Sequence, residues 1–379
     1  MTHASEPYAE RFVTHNGAYL LSHSVGLPVV GTRAAIDDYL GVWEADPANA
    51  WPHWLGTIDG FRDELARLIG AERAAICPQS NVSSALTKIL GALRTTFGVK
   101  TPTIVLTEEA FPSLGYVCER SGYRVRYIDR GQNTLDLDVW DRHLGDGVDV
   151  ALITHVHSNT GELLPAASIT EITRARGIVS VVDVAQSVGV IPIDVETWSA
   201  DFIIGSCVKW LSGGPGAGWL WATPEMVERC QPTDVGWFSH AEPFEFDIHE
   251  YRDAADALRF WGGSPTVLPF AVARTSIETI ADIGVDRIRS ANLALVDLLI
   301  DRLEDRVVSP HDAAHRSGTC IVAADAQCVD QLLHVGVEVD HRPSGLRVSP
   351  HVHTTRRDIE VAADLIGSSR VPGLDTAAE

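Results

Sequence analysis

The sequence predicts an α/β protein in which helices cover both faces of a mostly parallel β-sheet. Between about residues 60 and 225, short β-branched runs alternate with amphipathic stretches, which is typical of buried parallel strands joined by helices. The composition, 45% hydrophobic and 21% charged, is that of an ordinary globular protein. A length of 379 residues predicts two or three domains with a sizeable core.

The expected elements follow the order of the apolar runs along the chain. A helical stretch from about Arg274 to Glu304 separates five β-branched runs from two shorter ones. The first five are expected in the larger sheet, and the last two in a smaller segment where strands and helices alternate. The strands are expected at 104–107, 124–129, 149–157, 178–184, 201–208, 319–323 and 345–349.

Two helix starts show capping-box spacing, in which a hydroxyl residue precedes an acid by three positions. Ser168 stands three positions before Glu171, and Thr355 stands three before Asp358. Both pairs predict that a helix begins there.

The charge balance excludes some partners. The chain has 51 acidic and 30 basic residues, a net charge of −21, so it lacks the basic surface that binds nucleic acid or an anionic membrane. The N-terminus does not resemble a signal peptide, and no apolar stretch approaches the ~18–20 residues that span a bilayer. The six cysteines form no CxxC pair, which favours a reducing, cytoplasmic setting.

The first candidate for chemistry is Lys209, which follows the apolar run 201–208 and precedes the glycine-rich WLSGGPGAG. Burial at a strand end would lower its pKa and provide a neutral amine that can form a Schiff base. The glycines would let the backbone approach a ligand closely. Taken alone, a strand-end lysine that reaches solvent is the simpler interpretation.

The second candidate is Asp183, at the end of the run 178–184. A carboxylate that faces a pocket there would hold a pyridinium nitrogen in its charged form. Gln186 could then hydrogen-bond the phenolate oxygen of such a cofactor. A helix cap is the common alternative role for a strand-end aspartate.

The third candidate is an anion site in ICPQSNVSSALTKIL, where a strand end meets small polar residues and then a helical pattern. The free N–H groups of Asn81, Val82 and Ser83 would point at an anion, and the helix dipole would strengthen the attraction. Ser80 and Ser83 add hydroxyl donors. Such clusters also cap many helices that bind nothing.

The three candidates indicate a cofactor when they are taken together. A phosphate site, an aromatic ring at Phe111, a carboxylate at Asp183 and an amine at Lys209 all follow predicted strands. Ligands of open α/β sheets bind at the carboxyl ends of the strands. These groups are the ones that pyridoxal 5'-phosphate (PLP) needs.

Several stretches carry a resemblance to a known family. The chain resembles the class V branch of PLP-dependent aminotransferase-fold enzymes, and within it is most similar to kynureninases. The resemblance implies a large domain with a mostly parallel seven-stranded sheet and a smaller α/β C-terminal domain. The stretches are AYLLSHSVGLP, EEAFPSLGY, THVHSNTGELLP, VVDVAQSVGVIPIDV, DFIIGSCVKWLSGGPGAG, DVGWFSHAEPFEF, LRFWGGSPTVLP and DHRPSGLRVSPHVHTT.

The resemblance implies a role for each matching residue. Lys209 would form the Schiff base and move the Cα proton, and Asp183 would pair with the pyridine nitrogen. Arg347 would bind the substrate carboxylate in a bidentate manner, with two of its N–H donors, and His23 and Ser24 would also lie at the substrate. The cofactor contacts would be Ser80, Asn81, Val82, Ser83, Phe111 (stacked on the ring), Gln186, Ser206, Trp237 (through its indole N–H) and Ser264 (from the neighbouring subunit).

The chain departs from the kynureninase pattern at several positions, among them GGSPT, where the polar Asn near SNPP that recognises the aromatic substrate is not evident. Val208 stands where Tyr typically precedes the lysine, and Leu114 replaces the acid of FPSD or FPTD. Gln186 stands where His is usual, which is closer to the cysteine desulfurase form. The resemblance therefore implies the PLP chemistry more strongly than the substrate kynurenine.

Several activities remain open within this branch. The leading hypothesis is a kynureninase-like hydrolase that cleaves the Cβ–Cγ bond of an α-amino acid. A class V aminotransferase, an epimerase, a carbon–sulfur lyase or a cysteine desulfurase are alternatives, as is a PLP-binding regulatory domain without enzyme activity. A desulfurase needs a nucleophilic cysteine, whereas Cys207, Cys320 and Cys328 fall in patterns typical of core packing.

Two histidine pairs raise the question of a metal site. His155 and His157, like His351 and His353, are two residues apart and would share a face of a strand. A metal would compete with the cofactor for the same strand edge, so we expect none.

The sequence thus predicts a homodimer with shared active sites that acts on a small amino acid. Residues 1–49 are expected to join the small domain, 50–265 to form the large PLP-binding domain, and 266–379 to form the small C-terminal domain.

Overall fold

The computed structural model describes residues 8–98 and 101–369. The outer ends of the predicted N-terminal segment and of the predicted C-terminal domain lie outside the described residues. The helices are α1 (Thr32–Ala45), α2 (Ala50–Ile69), α3 (Val82–Phe97), α4 (Pro112–Arg120), α5 (Leu137–His143), α6 (Ala166–Ala175), α7 (Pro224–Arg229), α8 (Leu268–Ile283), α9 (Val285–Leu303), α10 (Gln327–His334) and α11 (Arg356–Ser368).

The strands form three sheets. The largest has seven strands in the order β2-β8-β7-β6-β5-β3-β4, a second has the order β11-β12-β9, and β1 pairs with β10. The strands are β1 (Ala18–Tyr19), β2 (Ile76–Gln79), β3 (Thr103–Thr107), β4 (Arg124–Ile128), β5 (Val150–Thr154), β6 (Val179–Asp183), β7 (Phe202–Ser206), β8 (Gly218–Ala222), β9 (Cys320–Val322), β10 (Val337–Glu338), β11 (Asp340–Arg342) and β12 (Gly345–Val348).

The seven-stranded sheet confirms the predicted fold class. Strands β3 to β7 pair in parallel, and β8 is antiparallel to both of its neighbours. Because β2 is antiparallel to β8, it runs in the same direction as β7. Six strands therefore present their carboxyl ends at one edge of the sheet.

Both faces of this sheet are buried, which explains the continuous apolar runs. In β5, Ala151 and Ile153 pack into one hydrophobic cluster, while Val150 and Leu152 pack into the cluster on the opposite face. Alternate side chains of a strand point to opposite faces, so a strand covered by helices on both sides needs apolar residues throughout.

A third hydrophobic cluster lies around the smaller sheets. It combines side chains of β9 and β12 with those of α9 and α11. The N-terminal strand β1 joins this region through its parallel pairing with β10. The residue boundaries proposed for the domains stay a prediction.

The structure corrects three details of the sequence analysis. The helical stretch expected from about Arg274 to Glu304 is two helices, α8 and α9, separated by Gly284 at a φ of 93° that favours glycine. Helix α6 begins at Ala166 after Pro165, so Ser168 lies inside the helix and the predicted cap there was wrong. The strands expected over 149–157 and 201–208 end earlier, at Thr154 and Ser206, so His155, His157 and Lys209 follow the strands and do not lie on them.

The predicted cap of the last helix is confirmed. The Thr355 side chain accepts a hydrogen bond from the N–H of Asp358, whose own side chain accepts one from the N–H of Thr355. In the part of the chain that the structure describes, no helix is long and apolar enough to cross a membrane.

Candidate active site

The carboxyl edge of the large sheet contains a cavity of about 390 Å³. Each of five strands contributes its last residue or the loop that follows it, because parallel strands end together at this edge. The lining residues are Asn81, Val82, Ser83, Phe111, Ser113, Leu114, Thr154, Val156, Ser158, Asp183, Ala185, Gln186, Ser206 and Lys209.

Lys209 projects into this cavity from the turn after β7. Its Nζ atom lies 5.5 Å from the centroid of the Phe111 ring. Burial, together with the positive charge of Arg347, lowers the pKa of Lys209, and the charge of Asp183 opposes this shift. The neutral amine, which is the nucleophilic form, is therefore favoured relative to a lysine in water.

Asp183 is the last residue of β6 and is 6% exposed. Its Oδ1 accepts the N–H of Ala185 at 2.9 Å, so the residue also makes the local contact of a cap. Burial raises the pKa of Asp183, while this hydrogen bond and the charge of Lys209 act in the opposite direction. A carboxylate in such surroundings is well placed to stabilise a positive charge in the cavity.

Two buried polar atoms of the cavity residues have no hydrogen-bond partner within the described residues. They are Oε1 of Gln186 and Oγ1 of Thr154, in side chains that are 8% and 4% exposed. The amide nitrogen of Gln186 donates to the carbonyl of His23 at 3.2 Å, which fixes its orientation. An unpartnered buried polar atom costs about 1–3 kcal/mol, so these atoms indicate a polar ligand in the cavity.

The loop between β2 and α3 forms the end of the cavity expected to bind an anion. Asn81 caps α3, since its Oδ1 accepts the N–H of Ser84 at 2.9 Å. The first-turn N–H groups of Val82 and Ser83 have no acceptor inside the helix and carry the positive end of its dipole. Gly218 of β8 allows this close approach, because a Cβ there would lie 2.7 Å from the Cα atom of Asn81.

Ser80, Trp237 and Ser264 do not line this cavity. Ser80 and Ser264 border a neighbouring cavity of about 290 Å³. The indole N–H of Trp237 donates to Oγ of Ser264 at 3.2 Å within the same chain. Their contacts with the cofactor, which the resemblance implied, stay a prediction.

Arg347 and His23 form a buried network that lies outside the cavity lining. Nε of Arg347 donates to Oδ1 of Asp340 at 2.8 Å, and Nη2 donates to Oδ2 of the same residue. Nε2 of His23 lies 3.0 Å from Oδ1 of Asp340. Ser24 is exposed beside this network. The charge of Arg347 nevertheless reaches the cavity, since it contributes to the lowered pKa of Lys209.

The histidine pairs are engaged in separate contacts. Nδ1 of His155 lies 2.8 Å from Oγ of Ser187, whereas Nε2 of His157 lies 3.1 Å from Oγ1 of Thr107. His351 and His353 stack on each other at 5.2 Å. Over residues 8–98 and 101–369, no group of three or more His, Cys, Asp or Glu side chains is arranged to hold a metal.

The sequence analysis missed two kinds of site residue. Thr154 and Ser158 line the cavity, and the end of the apolar run in β5 was the available signal for Thr154. Asp340 lies opposite Arg347 in the β11–β12 hairpin. Pro343 and Ser344, which lie between these strands just before Gly345, could have indicated a tight hairpin with that register.

These features fit PLP. The cavity combines a lysine, a buried carboxylate, an aromatic ring, a helix N-terminus and unpartnered polar atoms. The fold and site define a PLP-dependent enzyme. The family model "Aminotransferase class-V" matches residues 35–335, so the chain belongs to the class-V aminotransferase family.

The chain is also similar to curated relatives. An uncharacterized aminotransferase, YcbU, of Bacillus subtilis is 26% identical over 388 residues, covering 98% of this chain and 100% of that protein. A kynureninase of Deinococcus radiodurans is 32% identical over 258 residues, which cover 68% of this chain and 62% of that protein. A kynureninase of Pseudomonas fluorescens is 25% identical over 386 residues, covering 95% and 91%.

Solved structures share the fold. The cystine C–S lyase C-DES, in complex with its reaction product cysteine persulfide, aligns with a TM-score of 0.84 at 20% identity, over 93% of this chain and 98% of that one. The apo cysteine desulfurase of Thermococcus onnurineus aligns with a TM-score of 0.81 at 19% identity, over 93% and 95%.

Proposed function

We propose that this enzyme acts on an α-amino acid through a Schiff base at Lys209, as a kynureninase-like hydrolase that cleaves the Cβ–Cγ bond. The observation that carries the proposal is the shared cavity of Lys209 and Asp183, with the ring of Phe111 5.5 Å from the lysine Nζ. Similarity to kynureninases, at 25% and 32% identity, supports the choice of the Cβ–Cγ bond as the one that is cleaved.

Lys209, Asp183 and Arg347 have separate roles in the proposed reaction. PLP, when bound, supplies the electron sink for the pair released at Cα. The Nζ amine of Lys209, whose pKa burial lowers, accepts the Cα proton as a general base and returns it as a general acid. Asp183 stabilises positive charge on the ring nitrogen, and Arg347 attracts the substrate carboxylate.

The wall around the lysine favours a substrate with an uncharged side chain. Phe111, Leu114 and Val156 line the cavity with apolar surface. Leu114 takes the position where an acid is typical of kynureninases, so a cationic side chain would find no partner at that residue. The proposed reaction consumes one water per L-kynurenine and yields alanine and an aromatic carboxylic acid.

The first alternative is transamination. The similarity to the Bacillus subtilis aminotransferase extends over 98% of the chain, which favours this activity as the second candidate. Epimerisation would use the same lysine. Cysteine desulfuration is disfavoured, because all six cysteines are buried and burial raises the pKa of the Cys320 thiol to about 12.

The dimer belongs to the same proposal. Ser264 would reach the site of a second copy, which agrees with its position at a separate cavity beside Ser80. The cytoplasmic location expected from the cysteines also stays a prediction.

Titration of the PLP-loaded protein with L-kynurenine, with alanine and the aromatic acid assayed in the same tube, tests the activity. Equal amounts of the two products support the proposal. A changed visible spectrum without alanine would contradict hydrolysis, and product formation from an added α-keto acid would then identify transamination. The Lys209→Ala variant is the control, since it should yield neither product.

A further inference from the structure

A partly buried series of hydrogen bonds leads from the N-terminal segment to Arg347, through an Asp340 side chain that is 30% exposed. Asp340 accepts both Nε and Nη2 of Arg347, and its Oδ1 also lies 3.0 Å from Nε2 of His23. The side chains of His23 and Arg347 are 0% and 5% exposed. The N-terminal segment and the β11–β12 hairpin, which are distant in sequence, therefore meet at one carboxylate.

The positions of the protons in this series of hydrogen bonds follow from which atoms can only accept. A carboxylate can only accept, so Nε2 of His23 carries the hydrogen that faces Asp340. The neutral ring has one N–H, and Nδ1 therefore accepts from Oγ of Ser349, 2.6 Å away. Thr319 can donate to Ser349 in turn, since the two hydroxyl oxygens are 2.8 Å apart. Burial lowers the pKa of His23 to about 4, which agrees with a neutral ring.

The ion pair with Asp340 leaves one edge of the Arg347 guanidinium without a hydrogen-bond partner among the described residues. Asp340 takes Nε and Nη2, and no described residue hydrogen-bonds Nη1. The planar guanidinium is rigid, so fixing one edge also fixes the direction of the other. Although burial raises the pKa of Asp340, its bonds to Arg347 and His23 lower that pKa well below the usual value, and the carboxylate stays charged.

We propose that Asp340, held in place by His23, is a positioning residue that orients Arg347 toward the carboxylate of the amino acid. The proposal rests on the proposed function, because it needs Arg347 to bind that carboxylate. It revises the role expected for His23, which acts through Asp340 rather than on the substrate.

Two reagents isolate the carboxylate contact without knowledge of the natural substrate. Aminooxyacetate and hydroxylamine both react with PLP held on a lysine, but only aminooxyacetate carries a carboxylate. The ratio of their rate constants, followed by visible absorption of the PLP-loaded protein, reports carboxylate recognition. Damage to the fold or to cofactor access slows both reagents and leaves this ratio unchanged.

The variants are chosen to separate positioning from packing. Asp340→Asn keeps the size of the side chain but turns one acceptor into a donor. His23→Ala removes the hydrogen bond to Asp340, whereas His23→Gln restores an N–H donor. His15→Ala and Glu338→Gln are matched controls, because that pair joins β10 to the same N-terminal segment at 3.1 Å without touching Arg347. Melting temperatures of the cofactor-free variants show which of them fold.

We expect Asp340→Asn and His23→Ala to lower the ratio about 10-fold, the scale of a lost hydrogen bond to a charged group. His23→Gln should stay within about 3-fold of the wild type, and the two controls should match it. An unchanged or higher ratio in Asp340→Asn would overturn the positioning role. If Asp340→Asn does not fold, equal ratios for His23→Ala and His23→Gln would overturn it.

The proposed function fails in a different way. A wild type that reacts with neither reagent would overturn the PLP site at Lys209, and the positioning role with it. A wild type that reacts with both reagents, and whose ratio Arg347→Ala leaves unchanged, would overturn carboxylate binding by Arg347.

Discussion

Arg347 and Asp340 face each other across the β11–β12 hairpin, with Nε of the arginine 2.8 Å from Oδ1 of the aspartate. A carboxylate already neutralises one edge of this guanidinium. In the role proposed for Arg347, the substrate carboxylate is therefore bound by the other edge, and the arginine acts as an oriented donor rather than as a mobile charge.

Removing this arginine should weaken amino-acid binding without expelling PLP. For Arg347→Ala we expect the dissociation constant of the amino acid to rise at least about 10-fold, as for other charged hydrogen bonds. Spectral titration measures both affinities. Arg342→Ala is the matched control, because Arg342 is exposed on the same hairpin with Nε 3.8 Å from Asp340. Unaltered affinity for every accepted amino acid would remove Arg347 from the site.

Asp183→Asn separates the two roles of Asp183. The asparagine keeps an oxygen for the N–H of Ala185 but loses the negative charge. We expect the variant to fold and to lose about 10²-fold or more in kcat, the usual scale for a lost electrostatic contact with the reacting group. Asp201→Asn is a control at the opposite edge of the sheet, where Asp201 accepts hydrogen bonds from Ser180. Full activity in Asp183→Asn would show that Asp183 is only a cap.

The cysteines should be inert in the folded protein. All six are buried, and burial raises the pKa of the Cys77 and Cys320 thiols to about 12. A thiol reagent such as DTNB should therefore label the native protein slowly and all six cysteines after denaturation. Rapid labelling of one native cysteine, with loss of activity, would revive the desulfurase alternative.

The stability should fall in mild acid, partly because of His351. Burial lowers the pKa of this residue to about 4, although contact with the backbone of Trp210 acts in the opposite direction. Below pH ~6.5 His351 binds a proton in the unfolded chain but stays neutral in the folded chain. The free energy of unfolding therefore decreases as the pH falls from ~6.5 toward 4.

Replacing that ring tests the assignment. The ring of His351 stacks on both Trp210 and His353. His351→Phe keeps an aromatic ring at this position but removes the group that titrates. We expect the loss of stability between pH 7.5 and pH 5 to shrink by about 2 kcal/mol, measured by urea unfolding. An unchanged loss would contradict a buried neutral His351.

The sequence predicted the features that depend on local pattern. Buried parallel strands such as β5 are continuously apolar, and the end of such a strand identified Asp183 and Gln186. Ser206 was implied only by the family resemblance, and it lines the same cavity. The break between α8 and α9 was missed because the apolar spacing continues across Gly284.

Contacts between segments that are distant in the sequence could not be predicted from local sequence patterns. The contact of His23 with Asp340 joins residues 317 positions apart, and nothing local to either residue indicates it. The positions of Trp237 and Ser264 relative to the cavity depend in the same way on tertiary packing.

The most direct test of the account is to identify the residue that holds the cofactor. The chain contains only three lysines, Lys88, Lys100 and Lys209, so borohydride reduction of the PLP-loaded protein followed by peptide mass spectrometry gives an unambiguous answer. We expect the pyridoxyl label on Lys209, and no visible absorption band in a folded Lys209→Ala variant. A label on Lys88 or Lys100, or an unchanged spectrum in Lys209→Ala, would contradict the assignment of the site.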